Sequence, residues 1–198
     1  MKRLLDIIVS FFGILFLLPV FIVLAILVKI GSKGPIIYKQ QRVGLRNADF
    51  NIYKFRTMYM NSDKKGLITI GDRDPRVTSI GFYLRKLKLD ELPQLFNVLF
   101  GDMSLVGPRP EVRKYVNYYS EKDMEVLNVR PGITDYASIE FRNENEILKN
   151  SDNPDKKYIE EILPTKLNLN KKYIQNTSFL TDIRIICLTI VSIVANKK

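Results

Sequence analysis

IIVSFFGILFLLPVFIVLAILV, from Ile7 to Val28, is the stretch that decides what kind of fold this chain can adopt. It carries no charge and is almost entirely apolar. At about 1.5 Å per residue, a helix of this length covers a hydrocarbon core of roughly 30 Å. The run is too long for the apolar region of a signal peptide, and no small-residue cleavage site follows it. A straight membrane span is the default reading, but two features oppose it. Pro19 lies in the interior, where it removes a backbone hydrogen bond and bends the helix. Both flanks are positive, with Lys2 and Arg3 before and Lys29, Lys33, Lys39 and Arg42 after. The positive-inside rule satisfies both ends only if both lie on the cytoplasmic side. The pattern predicts a re-entrant membrane hairpin, residues 1–34, broken at Pro19, with freed carbonyls met by Ser10 or neighbouring protein. Residues 35–198 then form a compact cytoplasmic, membrane-associated domain.

Beyond Val28, Gly31 to Pro35 is a break. Ile36-Ile37-Tyr38 and Phe50-Asn51-Ile52-Tyr53 read as short strands around a turn at Gly44 to Asp49. Lys54-Phe55-Arg56-Thr57-Met58 interleaves cations with apolar residues, as a half-buried strand or a helix start does. Asn61 to Asp74 is polar and Gly-containing, hence a loop. Phe179 to Ala195 is apolar but interrupted by Asp182 and Arg184; it reads as an amphipathic helix on the core or on the membrane surface. The fold class is therefore mainly α, an α+β arrangement with little strand, carrying interfacial amphipathic helices.

The chain has no histidine and a single cysteine, Cys187. A His general base, a phosphohistidine, a His-based metal site, a disulfide and a Cys–His dyad are all excluded. Chemistry falls to carboxylates, hydroxyls, Lys and Arg, with a hard cation such as Mg²⁺. The formal charge is +10, and the excess of cations lies before residue 116; the remainder carries as many acids as bases. A phosphorylated substrate or anionic lipid suits this distribution. Nucleic acid does not, since no recognised binding motif appears.

Within the cation-rich part lies Leu84 to Pro110, LRKLKLDELPQLFNVLFGDMSLVGPRP. Arg85, Lys86 and Lys88 precede the carboxylate pair Asp90-Glu91. Leu92, Leu95, Phe96 and Leu99 follow the i, i+3, i+4, i+7 rule of a helix with one buried face. Gly101 supplies a left-handed stop. Asp90 then occupies the N-cap position, with Pro93 in the first turn. A helix N-terminus favours both an ionised Asp90 and a bound phosphate. In Gly107-Pro108-Arg109-Pro110, two prolines hold the Arg109 fork on a stiff backbone, suited to a phosphate or a pyrimidine edge. Arg130-Pro131-Gly132-Ile133-Thr134 is a second rigid turn presenting an arginine. Asp72-Arg73-Asp74 matches the D-x-D pattern of metal-dependent nucleotide-sugar glycosyltransferases, although a loop aspartate before Pro75 is ordinarily a turn residue.

Taken in order, these motifs resemble the bacterial monotopic phosphoglycosyl transferases, the small single-domain form of the undecaprenyl-phosphate sugar-phosphate transferases. The resemblance rests on the Pro-broken apolar N-terminus, Lys54 to Met58, Asp74-Pro75-Arg76-Val77-Thr78, Leu84-Arg85-Lys86, Leu89 to Leu95, Gly101 to Pro110 and Arg130 to Thr134. It implies that Asp90 attacks the β-phosphate of a UDP-sugar, that UMP leaves, and that undecaprenyl phosphate takes the phosphosugar from Asp90. Asp90 would be nucleophile and Mg²⁺ ligand, and Glu91 a supporting carboxylate. Pro108, Arg109 and Pro110 would hold the uridine diphosphate, with Lys54, Arg56, Arg85 and Arg130 as phosphate contacts. The resemblance also implies the cytoplasmic face of the bacterial inner membrane, contact with membrane lipids, and the first membrane step of a capsule, O-antigen, exopolysaccharide or glycoprotein glycan. A homo-oligomer is left open.

An aspartyl-phosphate ester splits a displacement between two anions into two steps, and Mg²⁺ with arginines offsets charge on the phosphoryl oxygens. Two departures from the family pattern bear on the sugar: Lys88 where Ser is usual, and Asp135-Tyr136-Ala137-Ser138 where Gly-Trp-Ala-Gln is usual. Two other readings make distinct forecasts. A metal-dependent glycosyltransferase using Asp72 and Asp74 would release UDP. A basic membrane-surface scaffold would function unchanged with Asp90 neutralised.

Overall fold

The structure, a computed structural model, describes residues 1–62 and 74–195. Asp72 and Arg73 of the D-x-D reading lie outside the described residues. Helix α1, Lys2–Gly31, runs as one element through Pro19. The predicted break at Pro19 is therefore absent as an interruption: proline removes a single ladder hydrogen bond, and an apolar helix tolerates that loss. Nor does Ser10 serve the bend. Its hydroxyl donates to the Asp6 carbonyl at 2.6 Å, a turn nearer the N-terminus.

α1 is held at both ends by the same polar domain. At the start, Asp6 accepts from Ser104 Oγ at 3.1 Å and the Leu105 N–H at 3.0 Å, while Arg3 donates to the Val98 carbonyl at 2.6 Å. Lys2 meets Asp182 at 2.6 Å. At the other end, Leu24 and Val28 pack with Phe55 and Leu84. Between these anchors α1 presents apolar side chains outward; Phe16 is 85% exposed. Among the described residues, α1 is the helix long and apolar enough to cross a membrane.

The hairpin expected after the break is present and longer than expected. β1, Ile37–Val43, pairs antiparallel with β2, Asp49–Phe55, from Ile37 opposite Phe55 to Val43 opposite Asp49. Helix α2, Ser79–Lys86, is capped by Thr78, whose hydroxyl accepts the Gly81 N–H at 2.9 Å. Helix α3 covers Gln94–Phe100 and stops at Gly101, φ 100°, as predicted. Its faces correct the sequence reading. Leu92, Leu95, Phe96 and Leu99 are half-buried, with Phe21 of α1 against the Phe96 ring. The fully buried side is Pro93, Gln94, Asn97 and Val98. Asn97 accepts the Tyr53 N–H at 2.9 Å and donates to the Asn51 carbonyl at 2.7 Å, so an amide joins α3 to the edge of β2.

A second, parallel pair joins β3, Ser104–Val106, to β4, Gly132–Thr134. The C-terminal part is helical: α4, Arg113–Val116; α5, Tyr136–Glu140; α6, Glu144–Lys149; α7, Pro154–Lys157; α8, Leu163–Gln175; α9, Phe179–Ala195. A π-helical turn, Tyr158–Ile162, joins α7 to α8; Pro164 has no N–H for the Glu160 carbonyl, a circumstance that favours such a widened turn. On α9, Asp182 and Ile185 face inward while Leu180, Ile190 and Val191 are exposed.

Candidate active site

Asp90 does not cap a helix. Leu89–Glu91 forms a 3₁₀ turn, and α3 begins only after Pro93. Proline cannot donate, so the chain here closes i+3 bonds, Leu92 N–H to the Leu89 carbonyl at 3.3 Å and Leu95 N–H to the Leu92 carbonyl at 3.0 Å. Lys88 enters this turn in the left-handed region, φ 57°. The turn is pressed between β2 and α2, which buries Asp90 to 8% exposure.

The two carboxylates fare differently. Glu91 is clamped: Lys54 Nζ donates to Oε1 at 2.9 Å, and Arg109 donates with both NH groups, one to Oε1 and one to Oε2 at 3.2 Å. Burial is the largest single influence and would raise its pKa, but Arg109 and Lys54 together outweigh it and hold Glu91 well below the usual carboxylate range. Asp90 has no such clamp. Its Oδ1 is buried and has no hydrogen-bond partner among the described residues. Burial, then the neighbouring Glu91 charge, push its pKa up against Lys54, Arg85 and Lys88. A buried acceptor left unpaired costs stability, and this one belongs to a residue that lines a cavity.

Asp90 faces a cavity of about 820 Å³ whose walls include Arg42, Lys54, Arg76, Arg85, Lys88 and Arg109. Burial lowers the pKa of Lys54, the effect of desolvation exceeding that of Glu91. The cavity is thus cationic around one carboxylate already neutralised and one still free. That arrangement suits an anionic, diphosphate-sized ligand beside a nucleophilic oxygen.

The predicted cations separate into those that reach the cavity with free donors and those that do not. Lys54, Arg85 and Arg109 line it with Asp90 and Glu91. Arg56 also lines it, but both its NH groups are spent on the end of α1, donating to the carbonyls of Lys33, of Ser32 at 2.7 Å and of Val28 at 3.3 Å, while its Nε is buried with no partner among the described residues. Arg130 stands elsewhere: exposed, it donates through Nε to the Gly101 carbonyl at 3.0 Å. The open end of α3 attracts it for the reason any helix C-terminus attracts a cation. Pro108 and Pro110 do not line the main cavity; they border a small cleft behind Arg109.

The Arg130–Thr134 motif acts through its backbone. The Gly107 N–H donates to the Thr134 carbonyl and the Gly132 N–H to the Pro108 carbonyl, both at 3.0 Å. A Cβ on Gly132 would lie 2.1 Å from the Gly107 nitrogen. Only glycine permits this approach, and it locks the turn that aims Arg109. Asp135 completes the lock, accepting the Arg109 N–H at 3.1 Å while it caps α5 through the Ser138 N–H at 2.6 Å.

Sequence reasoning missed Arg42, Glu111, Tyr158, Lys166 and Asn170, all of which line the same cavity. Glu111 directly follows Pro110 and was the one with a nearby signal. Lys166 and Asn170 sit on α8 and nothing local distinguishes them.

Residues 1–196 match the model of a family described as bacterial sugar transferase. The chain belongs to the bacterial sugar transferase family. Among its relatives, the uncharacterized sugar transferase EpsL of Bacillus subtilis is 39% identical over 96% of this chain and 85% of its own. A UDP-N-acetylgalactosamine-undecaprenyl-phosphate N-acetylgalactosaminephosphotransferase of Aeromonas hydrophila is 45% identical over 70% of this chain and 33% of its own. A UDP-glucose:undecaprenyl-phosphate glucose-1-phosphate transferase of Escherichia coli is 35% identical over 100% of this chain and 41% of its own. This bacterial sugar transferase therefore spans less than half the length of the last two proteins.

Proposed function

We propose that this chain transfers a sugar 1-phosphate from a UDP-sugar to undecaprenyl phosphate through a covalent intermediate on Asp90. The observation that carries the reading is the buried, unpartnered Oδ1 of Asp90 in a cation-lined cavity. The names of the relatives, which pair UDP-sugars with undecaprenyl phosphate, support the substrate classes.

In the first step a carboxylate oxygen of Asp90 forms a bond to the β-phosphorus. The bond from that phosphorus to the bridging oxygen breaks, and the oxygen leaves with its electron pair on UMP. In the second step an oxygen of undecaprenyl phosphate attacks the same phosphorus, and the Asp90 carboxylate is released as polyprenyl diphosphate sugar forms. Raised pKa and missing hydrogen bonds leave Asp90 a more basic, less solvated nucleophile than a surface aspartate. Arg109 and Lys54 keep Glu91 ionised and at the same time supply positive charge beside the phosphates. Arg85 and Lys88 line the same cavity and favour the ionised form of Asp90.

Mg²⁺ fits this donor set. Among the described residues there is no cluster of three or more metal-ligating carboxylate, Cys or His side chains. Mg²⁺ needs none, since it takes one or two carboxylates and completes its shell with phosphate oxygens and water. Asp90 has the free oxygen to offer, whereas both oxygens of Glu91 are engaged. Bound there, the ion would neutralise charge on the diphosphate.

The outward apolar face of α1, anchored at both ends to one domain, supports a monotopic seat on the cytoplasmic face of the inner membrane. There the site would meet the lipid phosphate at the headgroup plane, at the first membrane step of glycan assembly. The reading is tested by incubating the purified protein with undecaprenyl phosphate, Mg²⁺ and a panel of UDP-sugars. Release of UMP dependent on Asp90 is expected; release of UDP as the nucleotide product would replace this reading with direct glycosyl transfer.

A further inference from the structure

The cavity is larger than its anion-binding end requires. Away from Asp90 its wall is formed by α5 and α8, where Phe141, Leu163 and Leu167 offer apolar surface. Two polar side chains line this end as well, Ser138 and Asn170; their Oγ and Oδ1 are buried and have no hydrogen-bond partner among the described residues. Asn170 is only 6% exposed. The charges nearby are satisfied among themselves. Lys166 pairs with Glu144, lies 3.8 Å from Glu111, and donates to the Tyr158 hydroxyl at 3.3 Å. Tyr158 in turn donates to Glu111.

This end of the cavity therefore takes a neutral group, since its charges are already paired, Glu111 also lying 3.7 Å from Arg42. The group must donate to an amide oxygen, engage a hydroxyl, and set a small apolar surface against leucine. A hexose and its N-acetylated form share every ring hydroxyl except the one at C2, so only the group at C2 can tell them apart. An acetamido group has what is needed: an N–H, a carbonyl oxygen and a methyl.

We propose that α5 and α8 form the sugar-selecting end of the cavity, with Asn170 and Ser138 addressing the acetamido group of a UDP-N-acetylhexosamine. Asn170 Oδ1 accepts the amide N–H, the Ser138 hydroxyl donates to the acetyl oxygen, and the methyl lies on the leucine wall. A sugar without the acetamido group leaves both oxygens unpaired, which is how a polar site rejects an analogue. The inference rests on the UDP-sugar reading above.

The test uses the full chain carrying Asp90→Asn, so that no covalent transfer intervenes. Calorimetry compares UDP, UDP-N-acetylhexosamines of gluco and galacto configuration, and the matching UDP-hexoses. The acetamido nucleotides are expected to bind on the order of tenfold tighter than the hexoses. Adding Asn170→Ala or Ser138→Ala should bring that ratio toward unity with the UDP affinity unchanged, which also shows that the variant is folded. If Asn170→Ala melts early and loses UDP as well, Ser138→Ala, the smaller change, decides. Equal affinities for the two sugar classes in the Asp90→Asn background would overturn the proposal. So would variants that weaken UDP as much as UDP-sugar, which would assign this end to the uridine. Binding of no UDP-nucleotide at all would overturn the UDP-sugar reading, and the proposal with it.

Discussion

Gly132→Ala should disable the site without touching any residue that lines it. A Cβ there would meet the Gly107 nitrogen at 2.1 Å, its oxygen at 2.4 Å and its Cα at 2.7 Å. Every obstacle is backbone, so the strand pair must part by about 1 Å to reach ordinary contact. Three hydrogen bonds are at risk: Gly107 N–H to Thr134 and Gly132 N–H to Pro108, both at 3.0 Å, and Ser104 N–H to Pro131 at 2.8 Å. At about 1 kcal/mol net for each, the loss is roughly 3 kcal/mol. In a chain of this size that lowers Tm by about 6–12 °C. The same displacement carries Arg109 away from Glu91, whose Oε2 it now meets at 3.2 Å, and a 1 Å misplacement costs about 100-fold in rate. Calorimetric melting and UMP release measure the two effects. Gly13→Ala is the control, since its Cβ would sit 3.7 Å from Leu95 Cδ1, an ordinary contact. Wild-type Tm and turnover in Gly132→Ala would refute the claim that this backbone contact aims Arg109.

Further outcomes follow from the same geometry. Arg109→Ala strands the buried Glu91; with the pair partly exposed at 30% and 14%, it should cost about 2–3 kcal/mol and most of the activity. Arg130→Ala removes only an exposed helix-end contact and should leave turnover within about threefold, at a stability cost of about 1 kcal/mol; parallel melts and UMP assays compare them. In a pH series, the acid limb of activity should lie above the usual aspartate range, because Asp90 must ionise and its pKa is raised. Stability runs the other way there. A carboxyl with a raised folded pKa stabilises the fold when protonated, so its contribution declines as pH rises toward that pKa and is absent in Asp90→Asn. Glu91, with a lowered pKa, contributes stability above its unfolded pKa and loses it as pH falls through its folded one. For topology, a cysteine inserted after Met1 and Lys33→Cys, each in a Cys187→Ser background, should both resist a membrane-impermeant thiol reagent in sealed spheroplasts. Labelling of the N-terminal cysteine alone would show a spanning α1.

The site was legible where residue type and neighbourhood coincide. Asp90, Glu91, Lys54, Arg85 and Arg109 announce themselves as carboxylates among cations in rigid, punctuated sequence, and they do meet. The sequence does not say which cations are already claimed. Arg56 and Arg130 look like Arg109 in composition, yet the ends of α1 and α3 present unpaired carbonyls that draw them off. That competition exists only after α1 and α3 are packed. The N-cap reading of Asp90 failed by a few residues because Pro93 delays the α-helical ladder and leaves a tighter turn before it. Periodicity marked Leu92, Leu95, Phe96 and Leu99 correctly as an apolar face. It could not show that α1 would cover them while Asn97 took the deeper side against β2. Asn170 and Lys166 enter the cavity through the packing of α8 against α5, for which the local sequence carries no signal.

The central claim is that Asp90 is covalently loaded, and intact-mass analysis tests it most directly. The purified protein is incubated with UDP-sugar and Mg²⁺ in the absence of polyprenyl phosphate, then digested. The account predicts a phosphosugar adduct on the peptide containing Asp90, absent from Asp90→Asn and discharged when undecaprenyl phosphate is added. An unmodified protein that nevertheless turns over, or an adduct that persists in Asp90→Asn, would contradict it.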